Sequence, residues 1–151
     1  MINKKNPTNY WMLTMTHEIY TEVINQDFKF LFMSKTSSKK LKRITNGDRF
    51  ICYINHERIF QATATAISSY STNTIKKESL KSFPFSIESR KNITLTQKES
   101  INVGILAPRL DFTKKWVPED WPMAFLGNLH LIYKLDFLLI ENEFKRIKKF
   151  K

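Results

Sequence analysis

The stretch from Arg49 to Ile67 constrains the fold of this chain more than any other. Arg49-Phe50-Ile51-Cys52-Tyr53-Ile54 and Arg58-Ile59-Phe60-Gln61-Ala62-Thr63-Ala64-Thr65-Ala66-Ile67 are rich in β-branched and aromatic residues and flank a short turn, Asn55-His56-Glu57. Two such runs joined by so few polar residues predict an antiparallel hairpin. In the second arm Gln61, Thr63 and Thr65 alternate with Phe60, Ala62, Ala64 and Ala66. Successive side chains of a strand point to opposite faces, so one face is apolar and the other wetter. The alanines are small: either a helix packs close to them, or they leave space that something else fills. Asn46-Gly47-Asp48, just before the hairpin, is a turn signal.

The remaining elements arrange themselves around this hairpin. Tyr10-Trp11-Met12-Leu13-Thr14 reads as a buried strand. Thr16 is placed to cap a helix from His17 to about Asn25, whose early Glu18 and Glu22 suit the helix dipole. Phe28 to Met33 is strand-like, Ser34 to Ser38 a polar loop, and Lys39 to Ile44 a short basic helix. Ser68 to Ser82 reads as a long polar connection. Strand character resumes from Pro84 to Leu95, and Val103 to Leu110 is a short helix weakened by Gly104. Leu129 to Tyr133 is a last short strand. Asp136 starts a final helix in which Phe137, Ile140, Phe144 and Ile147 recur at helical spacing and Glu141 faces Lys145. With no repeats and no linker, the expectation is a flexible segment over residues 1–9 and a single α+β domain over 10–151. That domain is a mostly antiparallel, strongly curved sheet with a few flanking helices.

A chain of 151 residues can bury its own core without metals or disulfides. Its net charge of +11 favours an anionic partner, nucleic acid first and a membrane surface second, over a basic surface serving solubility alone. The single cysteine, Cys52, excludes an internal disulfide and a cysteine-cluster zinc site. His17, His56 and His130 lie far apart without ligand spacing, so neither metal nor cofactor is expected. Met1 to Thr8 is too short and polar for a signal peptide, and no apolar run approaches the roughly 20 residues of a membrane span. A cytoplasmic monomer is the default expectation.

Large rings on a basic chain suit a nucleobase: the charge serves the phosphates, the flat faces the base. Two of the three tryptophans, Trp116 and Trp121, lie in Lys114-Lys115-Trp116-Val117-Pro118-Glu119-Asp120-Trp121-Pro122-Met123-Ala124-Phe125, and the third, Trp11, opens the first strand. Taken singly, each ring is better read as core.

The order of landmarks resembles the EVE domain family. Tyr10-Trp11-Met12-Leu13 is similar to its aromatic first strand, and Gly47-Asp48-Arg49-Phe50-Ile51-Cys52-Tyr53-Ile54 to its central Gly-Asp-Arg strand. Ile59-Phe60-Gln61-Ala62-Thr63-Ala64 is similar to the next strand, and Phe83-Pro84-Phe85-Ser86-Ile87 to the one after it. Leu110 to Trp116, then Trp121 to Phe125, resembles the late Trp-containing region, and Asp136 to Ile140 the closing helix. The series runs from about Tyr10 to Phe144. It departs from many relatives at Phe32-Met33-Ser34, where they carry Trp-Gly, at Pro122, where they carry Gly, and at Leu126, where Arg is usual. EVE domains belong to the PUA-like superfamily with YTH and ASCH domains. The resemblance implies a small curved β-barrel that binds RNA or DNA, with a flipped and modified base, such as a methylated cytosine or adenine, as ligand.

A base lifted from its strand is held by stacking and by hydrogen bonds to its polar edge. Candidate walls are Trp11, Phe32, Tyr53, Trp116 and Trp121; candidate edge readers are Ser34, the hydroxyl of Thr14 and the amide of Asn128. Candidate phosphate contacts are Lys35, Lys39, Lys40, Lys42, Arg43, Lys114 and Lys115. The Lys39 to Arg43 run reads equally as a solvated helix face.

Catalysis finds less support. Glu119 and Asp120 are adjacent rather than spaced as an acid/base pair, and no nucleophile elbow, Walker loop, dinucleotide fingerprint or metal motif appears. Cys52 reads as a small buried hydrophobe, so no catalytic residue is assigned. The alternative is a hydrolase of modified nucleosides, as the resemblance to ASCH relatives implies, which would need a pair such as Lys35 and Glu57 at the pocket. Nothing specific favours a protein-interaction module.

Overall fold

The expected hairpin is the middle of a seven-stranded mixed sheet. The computed structural model describes residues 7–116 and 118–149. Its strands are β1 (Tyr10–Met15), β2 (Phe30–Met33), β3 (Arg49–Ile54), β4 (Ile59–Thr72), β5 (Phe85–Thr94), β6 (Ile101–Asn102) and β7 (Leu129–Ile132). Their order is β2-β5-β4-β3-β1-β7, with β6 attached to β4. β1 runs parallel to β3, and every other pair is antiparallel. Register shifts at Cys52/Tyr53, Thr63/Ala64 and Ala66/Tyr70 curl the sheet into a half-barrel, because an extra residue on one strand bends it and sharpens its twist.

The pleat divides the core in two. Trp11, Leu13, Phe50, Cys52, Ile54 and the three β4 alanines face one side, where they share a core with Ile19, Tyr20 and Val23 of helix α1 (His17–Asn25). Met12, Ile51, Tyr53 and Phe60 face the other, packing with Phe137, Ile140 and Phe144 of helix α4 (Lys134–Lys149). Cys52 and Tyr53, neighbours in sequence, thus serve opposite cores. Ala62, Ala64 and Ala66 are wholly buried, so no space remains over them. Burial in these apolar surroundings pushes the Cys52 thiol up to about 12.

Local signals explain most boundaries. The Thr16 hydroxyl accepts the amide of Ile19 at 3.2 Å and starts α1 where expected. Single-turn helices α2 (Ser38–Leu41) and α3 (Val103–Leu106) occupy the two short helical stretches. Asn102 caps α3 by accepting from the Gly104 amide at 2.9 Å.

Four expectations are corrected. Residues 68–72, read as connection, continue β4 and pair with β5, Tyr70 opposite Ile87 and Thr72 opposite Phe85. Their polar composition reflects solvent exposure on a strand that has outrun its core. Ser34 to Ser38 is not open loop, since Lys35–Ser37 forms a 3-10 turn. Asp136 does not start α4, which begins at Lys134; its buried carboxylate accepts the amides of Asp111 and Phe112, each at 2.9 Å. Asn9, expected in a flexible leader, donates its amide to Asp48 at 3.0 Å and its side chain to the Arg43 carbonyl at 2.9 Å. Residues 1–6 of that leader lie outside the described residues.

The Gly-Asp-Arg sequence is structural. Gly47 adopts φ 96°, a left-handed conformation that turns the chain into β3. Asp48 is fully buried and accepts from Asn9, from the Trp11 indole and from both the amide and hydroxyl of Thr45. Arg49 pairs with Glu141 of α4 and lays its guanidinium over the Phe137 ring at 4.9 Å. These three residues tie the N-terminal strand, the turn and the last helix to one end of the sheet.

Candidate nucleic-acid interface

At the opposite end of β1 and β3 the curled sheet opens into a cleft of about 410 Å³. Thr14, Met15 and Thr16 supply one side, Ser34 another, and Pro122 to Asn128 the lip facing them. Tyr53 and Phe125 form an aromatic floor, their rings edge to face at 4.6 Å. Phe83 comes in from the connection between β4 and β5. Buried Asn73 holds that approach: it donates its amide to the Pro84 carbonyl at 2.8 Å and its side chain to the Phe83 carbonyl at 3.1 Å. Asn55, His56 and Arg58, on the turn of the central hairpin, complete the rim.

Asn128 is the hub of this mouth. Its Oδ1 accepts the Ser34 amide at 2.9 Å and the Ser37 hydroxyl at 3.0 Å, and its Nδ2 donates to the Thr14 carbonyl at 3.0 Å. Its own carbonyl accepts the Thr14 amide at 2.7 Å. One side chain therefore ties the end of β2 to β1. With its oxygen doubly engaged, Asn128 shapes the cleft more than it reads a ligand. Two hydroxyls remain on the wall: that of Thr14, at 3.4 Å from the Phe125 carbonyl, and that of Ser34, shared with Thr36 at 2.6 Å. Burial, only partly opposed by Arg58, pushes the Tyr53 phenol up to about 12, so its hydroxyl stays protonated and can donate.

Of the eight residues expected at a base pocket, the cleft brings together four: Thr14, Ser34, Tyr53 and Asn128. Trp11 and Phe32 are corrected to core. Trp11 has its indole N–H spent on Asp48, and both it and Phe32 are buried in the core that packs on α1, where neither lines the cleft. Trp116 and Trp121 are half-buried and line a separate depression of about 270 Å³ beside Gly104. Val117, between them in sequence, lies outside the described residues.

The expected phosphate contacts also divide. Lys35, Lys39, Lys42 and Arg43 are exposed on the turn and helix that follow Ser34, and no ion pair engages them among the described residues. Lys40 is instead tied to the Leu129 carbonyl at 2.7 Å, and Lys114 to Asp111 at 2.7 Å. Lys115 borders a third depression with Trp116 and His130. Burial and the nearby Lys40 lower the His130 pKa, against the opposing pull of the Phe125, Gly127 and Leu126 backbone.

Phe83, Phe125 and Arg58 are site residues that sequence reasoning missed. Both phenylalanines lie inside segments whose sequence resembles the EVE series, but nothing in residue type marks them as lining a cleft. Arg58, expected to begin a strand, has φ 55° and closes the turn in a left-handed conformation, for which an arginine carries no sequence signal.

The geometry does not assemble the hydrolytic pair. Glu57 accepts from Gln97 and pairs with His17 at 3.2 Å, and neither it nor Lys35 lines the cleft. Among the described residues no three His, Cys, Asp or Glu side chains converge to hold a metal ion, and no helix is long and apolar enough to cross a membrane.

No protein-family profile matches the chain, and no curated protein matches it in sequence. Solved structures do match. The YTH domain of Pho92, solved in complex with m6A, is 14% identical, with a TM-score of 0.66 over 96% of this chain and 91% of that one. The YTH domain of Zygosaccharomyces rouxii MRB1, in complex with N6-methyladenosine RNA, is 11% identical with a TM-score of 0.64, covering 95% and 91%. Rpa0253 from Rhodopseudomonas palustris is 10% identical with a TM-score of 0.60, covering 90% and 92%. The chain therefore has a fold similar to that of YTH domains, a curled mixed half-barrel with a few flanking helices.

Proposed function

We propose that this protein is a nucleic-acid reader that takes one base, lifted out of a single strand, into the cleft between β1, β3 and the Pro122–Asn128 lip. The observation that carries this reading is the cleft itself. An aromatic floor of Tyr53 and Phe125, with the Tyr53 phenol, meets the hydroxyls of Thr14 and Ser34, and the segment that follows Ser34 carries Lys39, Lys42 and Arg43, which no ion pair engages among the described residues. Rings supply the stacking and hydroxyls the edge contacts, while the cations neutralise flanking phosphates. Two similar folds were solved with N6-methyladenosine, which supports a methylated purine in RNA as the first ligand to test. The landmarks shared with EVE domains support the same class of ligand, a modified base.

The test is competitive binding of single-stranded RNA with and without N6-methyladenosine or 5-methylcytosine, at two salt concentrations. A preference for one modified base that survives higher salt is the expected result. Affinity that ignores the mark and collapses with salt reduces the interaction to phosphate contacts and overturns the reading.

A further inference from the structure

Arg58 stands between two recesses. It lines the cleft, and its guanidinium lies 5.8 Å from the centre of the Trp121 ring. Beyond Trp121 is the second depression, walled by the indoles of Trp116 and Trp121 with Lys114 at its edge. Gly104 lies against it: a methyl group added there would be in ordinary contact with the Trp121 ring at 3.7 Å and tight against the Asn102 side chain at 3.1 Å. Trp121 is anchored from behind by Phe125, edge to face at 5.4 Å, and Phe125 is also the floor of the cleft. Two aromatic recesses thus share one wall, with one cation between their openings.

The left-handed backbone of Arg58 belongs to the same arrangement. Its carbonyl accepts the Val103 amide at 3.0 Å, which joins the hairpin turn to the start of α3, next to Gly104. A non-glycine residue in this conformation is uncommon, and here it carries a guanidinium to the boundary between the recesses. Arginine suits that position because its planar fork matches phosphate and its face stacks on an indole.

Resting on the reading of the cleft as a base site, we infer that the protein binds two consecutive nucleotides: one base in the cleft, the connecting phosphate at Arg58, and the neighbouring base against Trp116 and Trp121. The second recess has flat walls and few polar groups, so it takes any base by its face and contributes affinity rather than sequence choice.

The experiment compares N6-methyladenosine nucleoside with a dinucleotide carrying the same modified base, read by tryptophan fluorescence and by calorimetry. Of the three tryptophans Trp11 is sealed in the core, so quenching reports the outer pair. The dinucleotide should bind roughly ten- to a hundredfold more tightly and quench the emission. Trp116→Ala should bring the dinucleotide down to the level of the nucleoside and leave nucleoside binding unchanged. Arg58→Gly should also remove most of the gain, and because glycine is at ease at φ 55° its loss of binding does not come from a damaged fold. Dinucleotide affinity unchanged in Trp116→Ala overturns the inference. If the nucleoside fails to bind but a longer oligonucleotide still quenches, and Trp116→Ala abolishes that quenching, the cleft reading fails while the indole recess stands. Absence of quenching by any oligonucleotide overturns the inference, and absence of a calorimetric binding signal for nucleoside and oligonucleotide alike overturns the cleft reading as well.

Discussion

Trp11 donates its indole N–H to the Asp48 carboxylate across 2.9 Å, with both side chains wholly buried. A buried carboxylate is tolerated only when its lone pairs are satisfied, and Trp11 supplies one donor that no water can replace. Trp11→Phe preserves most of the packing and removes that donor. It should destabilise the fold by about 1–3 kcal/mol in urea unfolding. Nucleic-acid affinity of the folded fraction should not change; a loss of affinity without loss of stability would return Trp11 to the site.

Gly47 precedes Asp48 with φ 96° and open space around its α-carbon, so a side chain there meets no neighbour and suffers only the backbone strain. Gly47→Ala should therefore cost about 1–2 kcal/mol. Thermal unfolding reads this directly, and a neutral outcome would mean that the turn relaxes to a conformation open to alanine.

Tyr53→Phe tests the cleft without disturbing its floor, since the ring contacts with Phe125 and Phe60 are kept. Losing one hydroxyl donor should weaken binding of the modified base about three- to tenfold, corresponding to roughly 0.5–1.5 kcal/mol. Because burial holds the phenol protonated, its contribution should stay constant from neutral pH to about pH 10. Titration calorimetry across that range checks both statements.

His130 is half-buried with its pKa lowered chiefly by burial, and its Nε2 has no hydrogen-bond partner among the described residues. The folded state thus binds a proton less readily than the unfolded chain. Stability is full above the unfolded value near 6.5, and is lost as pH falls from there towards the lower folded value. Urea midpoints at about pH 7.5 and pH 5.5 should differ in the parent and differ less in His130→Gln.

Lys39→Ala with Lys42→Ala removes two exposed cations from the segment that follows Ser34. The slope of log affinity against log salt should fall by about 0.7 for each single-strand phosphate that these lysines no longer neutralise, with little change in preference for the modified base. An unchanged slope would assign these lysines to solvent.

The sheet was legible because its signals are local and periodic. The hairpin at Arg49–Ile67, the cap at Thr16 and the turn at Gly47 each declare themselves within a few residues. The cleft was half legible: Thr14, Ser34, Tyr53 and Asn128 lie at strand ends, where resemblance and residue type together pointed. What stayed hidden was which ring faces which space. Trp11 and Tyr53 both carry large aromatic side chains on adjacent strands, but the pleat sends them to opposite cores and only one reaches the mouth. Phe125 and Arg58 acquire their roles from a 3-10 segment and a left-handed turn, neither of which leaves a pattern in residue type.

The pairing of β1 bears on how the chain comes into being. That strand lies between β3 and β7, and the bond from Asn128 to Thr14 joins residues 114 apart. During synthesis β1 leaves the ribosome well before β7 and must wait for it before its second edge is covered. Until then a run of apolar side chains has an open flank, the condition under which nascent chains pair with the wrong neighbour. The lip that shapes the cleft is therefore also the latch that ends this vulnerable interval, so a binding-competent mouth should arise only when the whole sheet is closed.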